Sequence, residues 1–153
     1  ASMIARHTGL RYSDVARLKT EQVNLAKGEI RMRPNKTKRF AIDIASPINS
    51  ALKPVMESLV KRGWEYRFPE HAAAYPDFGK TSPFRAILEA AKVSTEGHTF
   101  HSWRHTFRTR LSEAGVSDDL AKRLGGWTED ATAARYDHAE RVEELRAAVE
   151  KAK

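Results

Sequence analysis

At 153 residues the chain is long enough for one domain with a hydrophobic core of its own. Its 27 Lys and Arg against 20 Asp and Glu, a net charge of +7, favour a polyanionic partner over an acidic one. The absence of cysteine excludes disulfides, thiolate catalysis and cysteine-ligated zinc, and no apolar run approaches the roughly 20 residues a membrane span requires.

In chain order, Met3 and Ile4 read as the tail of an apolar helix, so the chain is expected to be a fragment of a longer protein. No signal-peptide pattern precedes them, and a cytosolic, nucleoid-associated setting is expected. Thr8-Gly9 breaks this first helix. Ser13 is expected to cap a short second one that carries Val15 and Leu18 on one face, which puts Arg11 at a loop-to-helix junction beside free N–H groups. Lys27-Gly28 marks a turn. After it Ile30 and Met32 alternate with Glu29, Arg31 and Arg33. Beyond Pro34-Asn35, Phe40, Ile42 and Ile44 alternate with Arg39, Ala41 and Asp43. The pattern predicts a β-hairpin with Lys36 and Lys38 in its connection, and Val23-Asn24-Leu25 as a short third strand.

Ser46-Pro47 reads as a helix start, with Ile48, Leu52, Val55, Met56 and Leu59 on one face and Pro54 kinking or restarting it. Residues 63–82 look irregular, anchored by Trp64, Tyr66 and Phe68. Phe84, Ile87, Leu88 and Ala91 begin another helix. Phe100, Trp103, Phe107 and Leu111 then recur at helical spacing as a core-facing stripe. Gly115 ends that helix, and Ser117 opens the next with Asp118 and Asp119 in its first turn. Leu120 and Leu124 pack inward before Gly125-Gly126. Thr128, Glu129 and Asp130 open a helix that carries Tyr136. A last helix runs from Ala139 to about Lys151, with Val142, Leu145 and Val149 on one stripe. The fold class expected is α+β, mostly α-helical, with a small antiparallel sheet of two or three strands at one edge.

His101 and Arg104, three apart, are expected to project from one polar helical face that His105 and Arg108 extend. Taken alone, H-x-x-R is more often a basic solvated face than a site. As i and i+4 partners, His101 and His105 suggest a zinc pair, but Ser102 stands where a zinc-protease helix needs Glu, and Arg104 would repel a dication, so no metal is expected. Phosphodiester cleavage fits these residues better. Negative charge builds on the non-bridging oxygens as a nucleophile adds, and planar guanidinium groups match those oxygens bidentately. Arg11 and Arg104, from separate segments, are suited to clamp such a phosphate. Tyr136 supplies a phenolic nucleophile, His101 a base to deprotonate it, and Lys36 an acid to protonate the departing 5′-hydroxyl.

Four stretches resemble the signature boxes of the tyrosine recombinases, the phage-integrase family, in the right order. They are T-G-L-R-Y-S-D-V-A-R-L (Thr8 to Leu18), N-K-T-K-R in the hairpin, T-F-H-S-W-R-H-T-F (Thr99 to Phe107), and L-G-G-W ending at Trp127 with R-Y-D-H (Arg135 to His138), whose Tyr136 comes nine residues after Trp127. The resemblance implies catalytic roles for Arg11, Lys36, His101, Arg104, Trp127 and Tyr136, with Lys38 the neighbouring alternative to Lys36. It also implies a supporting role for Asp14. Lys38, Arg39, His105 and Arg108 are expected to contact DNA. Most relatives carry histidine where this chain has Trp127, and indole offers an N–H donor but no titratable proton.

The function implied is that of the catalytic domain of a site-specific recombinase, lacking the family's N-terminal core-site-binding domain. It would act on double-stranded DNA through a 3′-phosphotyrosyl intermediate without a cofactor, as a homotetramer on DNA when full-length and as a monomer when isolated. The final helix resembles the segment that recombinase protomers exchange, with packing on its own domain as the alternative. Two other readings share the motifs: a type IB-like topoisomerase, and an inactive DNA-binding accessory protein of the same fold.

Overall fold

A computed structural model describes residues 1–33, 43–74, 83–127 and 142–153. The described elements are α1 (Ser2–Thr8), α2 (Tyr12–Ala16), a 3₁₀ turn (Thr20–Gln22), β1 (Val23–Asn24), β2 (Glu29–Met32), β3 (Ile44–Pro47), α3 (Lys53–Lys61), α4 (Pro69–Ala74), α5 (Pro83–Ala90), α6 (Ser102–Glu113), α7 (Asp118–Gly125) and α8 (Val142–Lys151). The result is the mostly helical α+β fold expected, with one three-stranded antiparallel sheet in the order β1-β2-β3.

Three boundaries differ from the sequence reading. The capping position of α2 falls on Arg11, so Ser13 lies inside its first turn and Leu18 beyond its end. Leu10 is drawn into the core just after Gly9 (φ 65°), which leaves the chain two residues less of loop than Ser13 would need. Ser46 and Pro47 belong to β3, opposite Ile30 and Glu29, and do not start a helix. Proline is tolerated there because β3 is an edge strand within the described sheet and Pro47 is its last residue. The capping position of α3 is Leu52, with Pro54 in the first turn, and in the turn before it Asn49 Oδ1 accepts from Leu52 N–H at 2.9 Å. Residues 69–74 form α4, so the stretch read as irregular is partly helical. The hairpin's return arm is described only from residue 43, where Met32 pairs with Ile44. Lys36, Lys38, Arg39, Phe40 and Ile42 lie outside the described residues.

Other expectations hold. β1 pairs with β2 through Val23 and Ile30. Ser117 Oγ accepts from Leu120 N–H, with Asp118 and Asp119 in the first turn of α7. Gly115, at φ 71°, follows the end of α6. Val149 is buried in α8, which packs on α6, α7 and β3 of its own chain. Among the described residues no helix is long and apolar enough to cross a membrane.

Two apolar clusters form the core. One joins α1, α2, the sheet and α3 through Ile4, Leu10, Val15, Leu18, Ile30, Leu52 and Met56. The other joins α6, α7 and α8 through Phe107, Leu111, Leu124 and Val149. Burial at about 25 cal/mol per Å² of apolar surface is what holds helices this short in place, since a five-residue α2 is far below the length at which a helix is stable alone.

A polar hub ties the clusters together. The Asn49 side-chain amide donates to Nδ1 of buried His7 at 3.1 Å and to the Val149 carbonyl of α8 at 3.3 Å. Burial, then the charges of Arg6 and Arg110, hold the His7 pKa below its ordinary value. A protonated Nδ1 cannot accept from Asn49, so the folded state disfavours the proton that the unfolded chain takes up below about pH 6.5. Stability contributed here is full above that pH and is lost as pH falls, at no more than about 1.4 kcal/mol per unit. Urea midpoints should therefore drop between about pH 7 and about pH 5, and His7→Gln should flatten the slope. A pH-independent midpoint for the unsubstituted chain would show that the hub does not exist in solution.

Candidate phosphate-binding site

The site is built where the loop between α1 and α2 lies across α6. Thr8 closes α1 by donating its hydroxyl to the Ile4 carbonyl at 2.6 Å, and Gly9 N–H donates to Ala5 at 2.9 Å. Gly9 is needed twice over. Its φ of 65° is one L-residues rarely adopt, and a Cβ there would stand 2.5 Å from the Phe107 ring. The close approach lets the Gly9 carbonyl accept from Arg104 Nη1 at 2.6 Å.

Arg104 is the chief departure from the sequence reading. It does not share a solvated face with His101 but is only 4% exposed, on the same buried stripe as Phe107 and Leu111. Positions 104, 107 and 111 are spaced i, i+3, i+7, so the inward face is rotated from the one that Phe100 and Trp103 suggested, and these two are half-buried at its flank. His101 and His105 are exposed, with ring centroids 5.1 Å apart at 80°. Among the described residues, no group of three or more His, Asp or Glu is arranged to hold a metal.

The Arg104 guanidinium lies 4.3 Å from the Trp127 ring centroid. Trp127 in turn stacks on Phe107 at 6.3 Å and 18°. It packs so closely over α7 that a Cβ on Gly125 would overlap its six-membered ring. Gly126, left-handed at φ 59°, caps α7 and turns the chain toward Trp127. Burial first, then the nearby Arg11 charge, lowers the Arg104 pKa to about 10, while Asp14 acts the other way. Arg104 thus stays a cation at neutral pH. Among the described residues its Nη2 is buried without a hydrogen-bond partner. A buried guanidinium with a free donor and a like charge beside it is a site poised for an anion.

Of the residues singled out from the sequence, Arg11, Asp14, Arg104 and Trp127 come together here. Arg11 is half-buried at the start of α2, Asp14 is buried one turn later, and His101 stands one turn before Arg104. Arg108 is engaged elsewhere as well: it pairs with Asp118, which Lys122 also contacts at 3.0 Å, and it reaches the Trp127 ring at 5.8 Å. Lys36, Lys38, Arg39 and Tyr136 lie outside the described residues. The sequence reading missed the Gly9 carbonyl as the anchor of Arg104. The T-G pair ahead of Arg11 was the available signal, because a left-handed glycine frees a carbonyl that helix bonding would otherwise occupy.

The chain belongs to the phage integrase family, whose model matches residues 1–143. It is 28% identical over 149 residues to the integrase of Salmonella phage P22, an alignment covering 88% of this chain and 37% of that protein. It is also 28% identical over 151 residues to tyrosine recombinase XerA of Pyrococcus furiosus, covering 95% of this chain and 51% of the relative. The chain thus spans about half, or less, of the length of these curated relatives. No solved structure is a significant match.

Since the Trp127 ring occupies the space above Gly125, Gly125→Ala should displace Trp127 and uncover Arg104, destabilising the fold by about 1–3 kcal/mol. The Trp127 indole N–H resonance should shift far more than those of Trp64 and Trp103. Three unmoved indole signals would refute this packing.

Proposed function

We propose that this chain is the catalytic domain of a site-specific DNA recombinase that cuts and rejoins strands by transesterification. The observation that carries the reading is Arg104: a guanidinium held inside the domain with one Nη unsatisfied, next to Arg11. A DNA phosphodiester supplies the missing acceptor and relieves the repulsion between the two cations. Family membership and the two relatives, an integrase and a tyrosine recombinase, support the same assignment.

In this mechanism Arg11 and Arg104 bind the non-bridging oxygens and neutralise the charge that grows on them. Tyr136 loses its proton to His101 and its oxygen attacks phosphorus in line. The P–O5′ bond breaks and Lys36 gives the departing oxygen its proton. The product is a 3′-phosphotyrosyl ester and a free 5′-hydroxyl. Attack by the 5′-hydroxyl of another strand reverses every step, so the phosphoester bond is conserved and ATP is not required. Trp127 cannot exchange protons near neutrality; it holds Arg104 through its ring face and can donate its indole N–H. Asp14 offsets the paired positive charges. Lys38, Arg39, His105 and Arg108 follow the DNA backbone, with part of Arg108's charge committed to Asp118. The full-length protein would act as a homotetramer on two duplexes.

A nicked suicide duplex, from which the cleaved 5′ fragment diffuses away, should trap an adduct that survives denaturation. Tyr136→Phe should abolish it, and Arg104→Ala should slow it by about 10²–10³-fold. No adduct from the unsubstituted chain, or as much from Tyr136→Phe, overturns the proposal.

A further inference from the structure

Behind the site lies a group of aromatic residues that the mechanism does not use. Tyr12 directly follows Arg11, and Phe100 directly precedes His101. Their rings meet edge to face, with centroids 5.0 Å apart at 70°. Phe100 also meets Phe84 of α5 at 5.9 Å. The Tyr12 hydroxyl lies 3.0 Å from Nδ1 of His71, on α4, fifty-nine positions along the chain. His71 is itself oriented by an edge contact with Phe68, three residues before it, at 5.6 Å.

The Tyr12–His71 hydrogen bond joins two partners whose uncharged forms are favoured by burial. Burial pushes the Tyr12 pKa up to about 12, so the phenol keeps its proton. Burial likewise holds the His71 pKa below its ordinary value, which favours the neutral imidazole. The hydroxyl and Nδ1 share one hydrogen bond, and the imidazole tautomer decides which of them donates.

We infer that Tyr12 and His71 are positioning residues for the phosphate clamp: their hydrogen bond fixes the first turn of α2, and with it the direction in which Arg11 leaves the backbone. Three observations support this. The five residues of α2 cannot hold their own first turn, and its core contacts, Val15 and Ala16, lie at the far end. Arg11 sits beside Arg104, and two like charges need a fixed scaffold to stay together before an anion arrives. The Tyr12–Phe100 contact links the residue after one arm of the clamp to the start of the helix that carries the other, so α4 braces both at once. Neither residue touches the phosphate in this scheme.

The inference rests on the proposed function for its kinetic consequence but not for its structural one, and the test separates them. Tyr12→Phe removes only the hydroxyl. With saturating suicide duplex it should slow adduct formation by about tenfold to a hundredfold, the range expected when a transition-state group is displaced by about an ångström. Duplex affinity should change less than about twofold, because a misdirected Arg11 keeps its charge. His71→Ala should match Tyr12→Phe, and the double variant should be no slower than either single one. His71→Asn, whose Oδ1 can accept near the place of Nδ1, should recover most of the rate. In an Arg11→Ala background Tyr12→Phe should add nothing.

The second readout needs no cleavage. The Arg11 Nε–H resonance of the DNA-free protein should move in Tyr12→Phe and return toward its original place in His71→Asn. An unmoved Arg11 signal overturns the inference whatever the rates show. So does an equal slowing by Tyr12→Phe when Arg11 is absent, since the hydroxyl would then act on general stability. If the unsubstituted chain forms no adduct, the recombinase reading fails, and the Arg11 resonance still decides whether the brace exists.

Discussion

The structure depends on keeping a charged guanidinium inside a small domain. Arg104 is as buried as the leucines around it, and a desolvated charge is tolerated only when polar atoms surround it. Here the compensation comes from a main-chain carbonyl on one side, an indole face on another, and the buried carboxylate of Asp14 close by. None of the three is local in sequence. Gly9 and Asp14 belong to the N-terminal segment and Trp127 to the end of α7, so Arg104 can be satisfied only when α1, α2, α6 and α7 are all in place. The site and the fold therefore form together. The Arg104 Nη2, without a hydrogen-bond partner among the described residues, is where the compensation is incomplete.

Glycines at two places make this possible for the same steric reason. Gly9 lets a loop lie flat on Phe107 so that its carbonyl reaches the guanidinium, and Gly125 lets Trp127 lie flat on α7 so that its ring does. Each brings a rigid group within contact distance of Arg104, where a side chain on the intervening helix would hold it off. Phe107 touches both arrangements, under Gly9 and against Trp127. It is a core residue whose shape bears on the geometry of the cation one turn away.

What the sequence disclosed divides along physical lines. Signals carried by local chemistry were readable: the break at Thr8-Gly9, the Ser117 cap with its two acids, the alternation of Ile30 and Met32. So was the grouping of Arg11, Asp14, Arg104 and Trp127, because the boxes that contain them retain their order and spacing. The errors arose where tertiary contacts overrode a local signal. Ser46-Pro47 has the composition of a helix start, yet pairing with Glu29 and Ile30 claims both residues for the sheet. Arg104 has the composition of a surface residue, and periodicity alone assigns a cation to the wet side of an amphipathic helix. Only the Gly9 carbonyl and the Trp127 ring, remote in sequence, make the dry side acceptable. The Tyr12–His71 contact had no signal, since nothing local relates residues so far apart.

Arginine is the only basic side chain that could occupy position 104 and remain useful. Burial has lowered its pKa to about 10, which still leaves it fully charged near neutrality. A lysine starts about two units lower and a histidine about six, so under the same burial the first would hold its charge less securely and the second would be neutral. Proton transfer makes the opposite demand, because a group that must gain and lose a proton needs a pKa near the working pH and a route to solvent. His101 and His105 stand exposed at the start of the same helix, about one turn before the buried cation and one residue after it. In the proposed mechanism permanent charge is held inside, where low polarity would strengthen its pull on a phosphate, and titratable groups stay outside, where protons could be exchanged. The two requirements conflict at any single position, and under the proposed function α6 would meet both by presenting them on different faces.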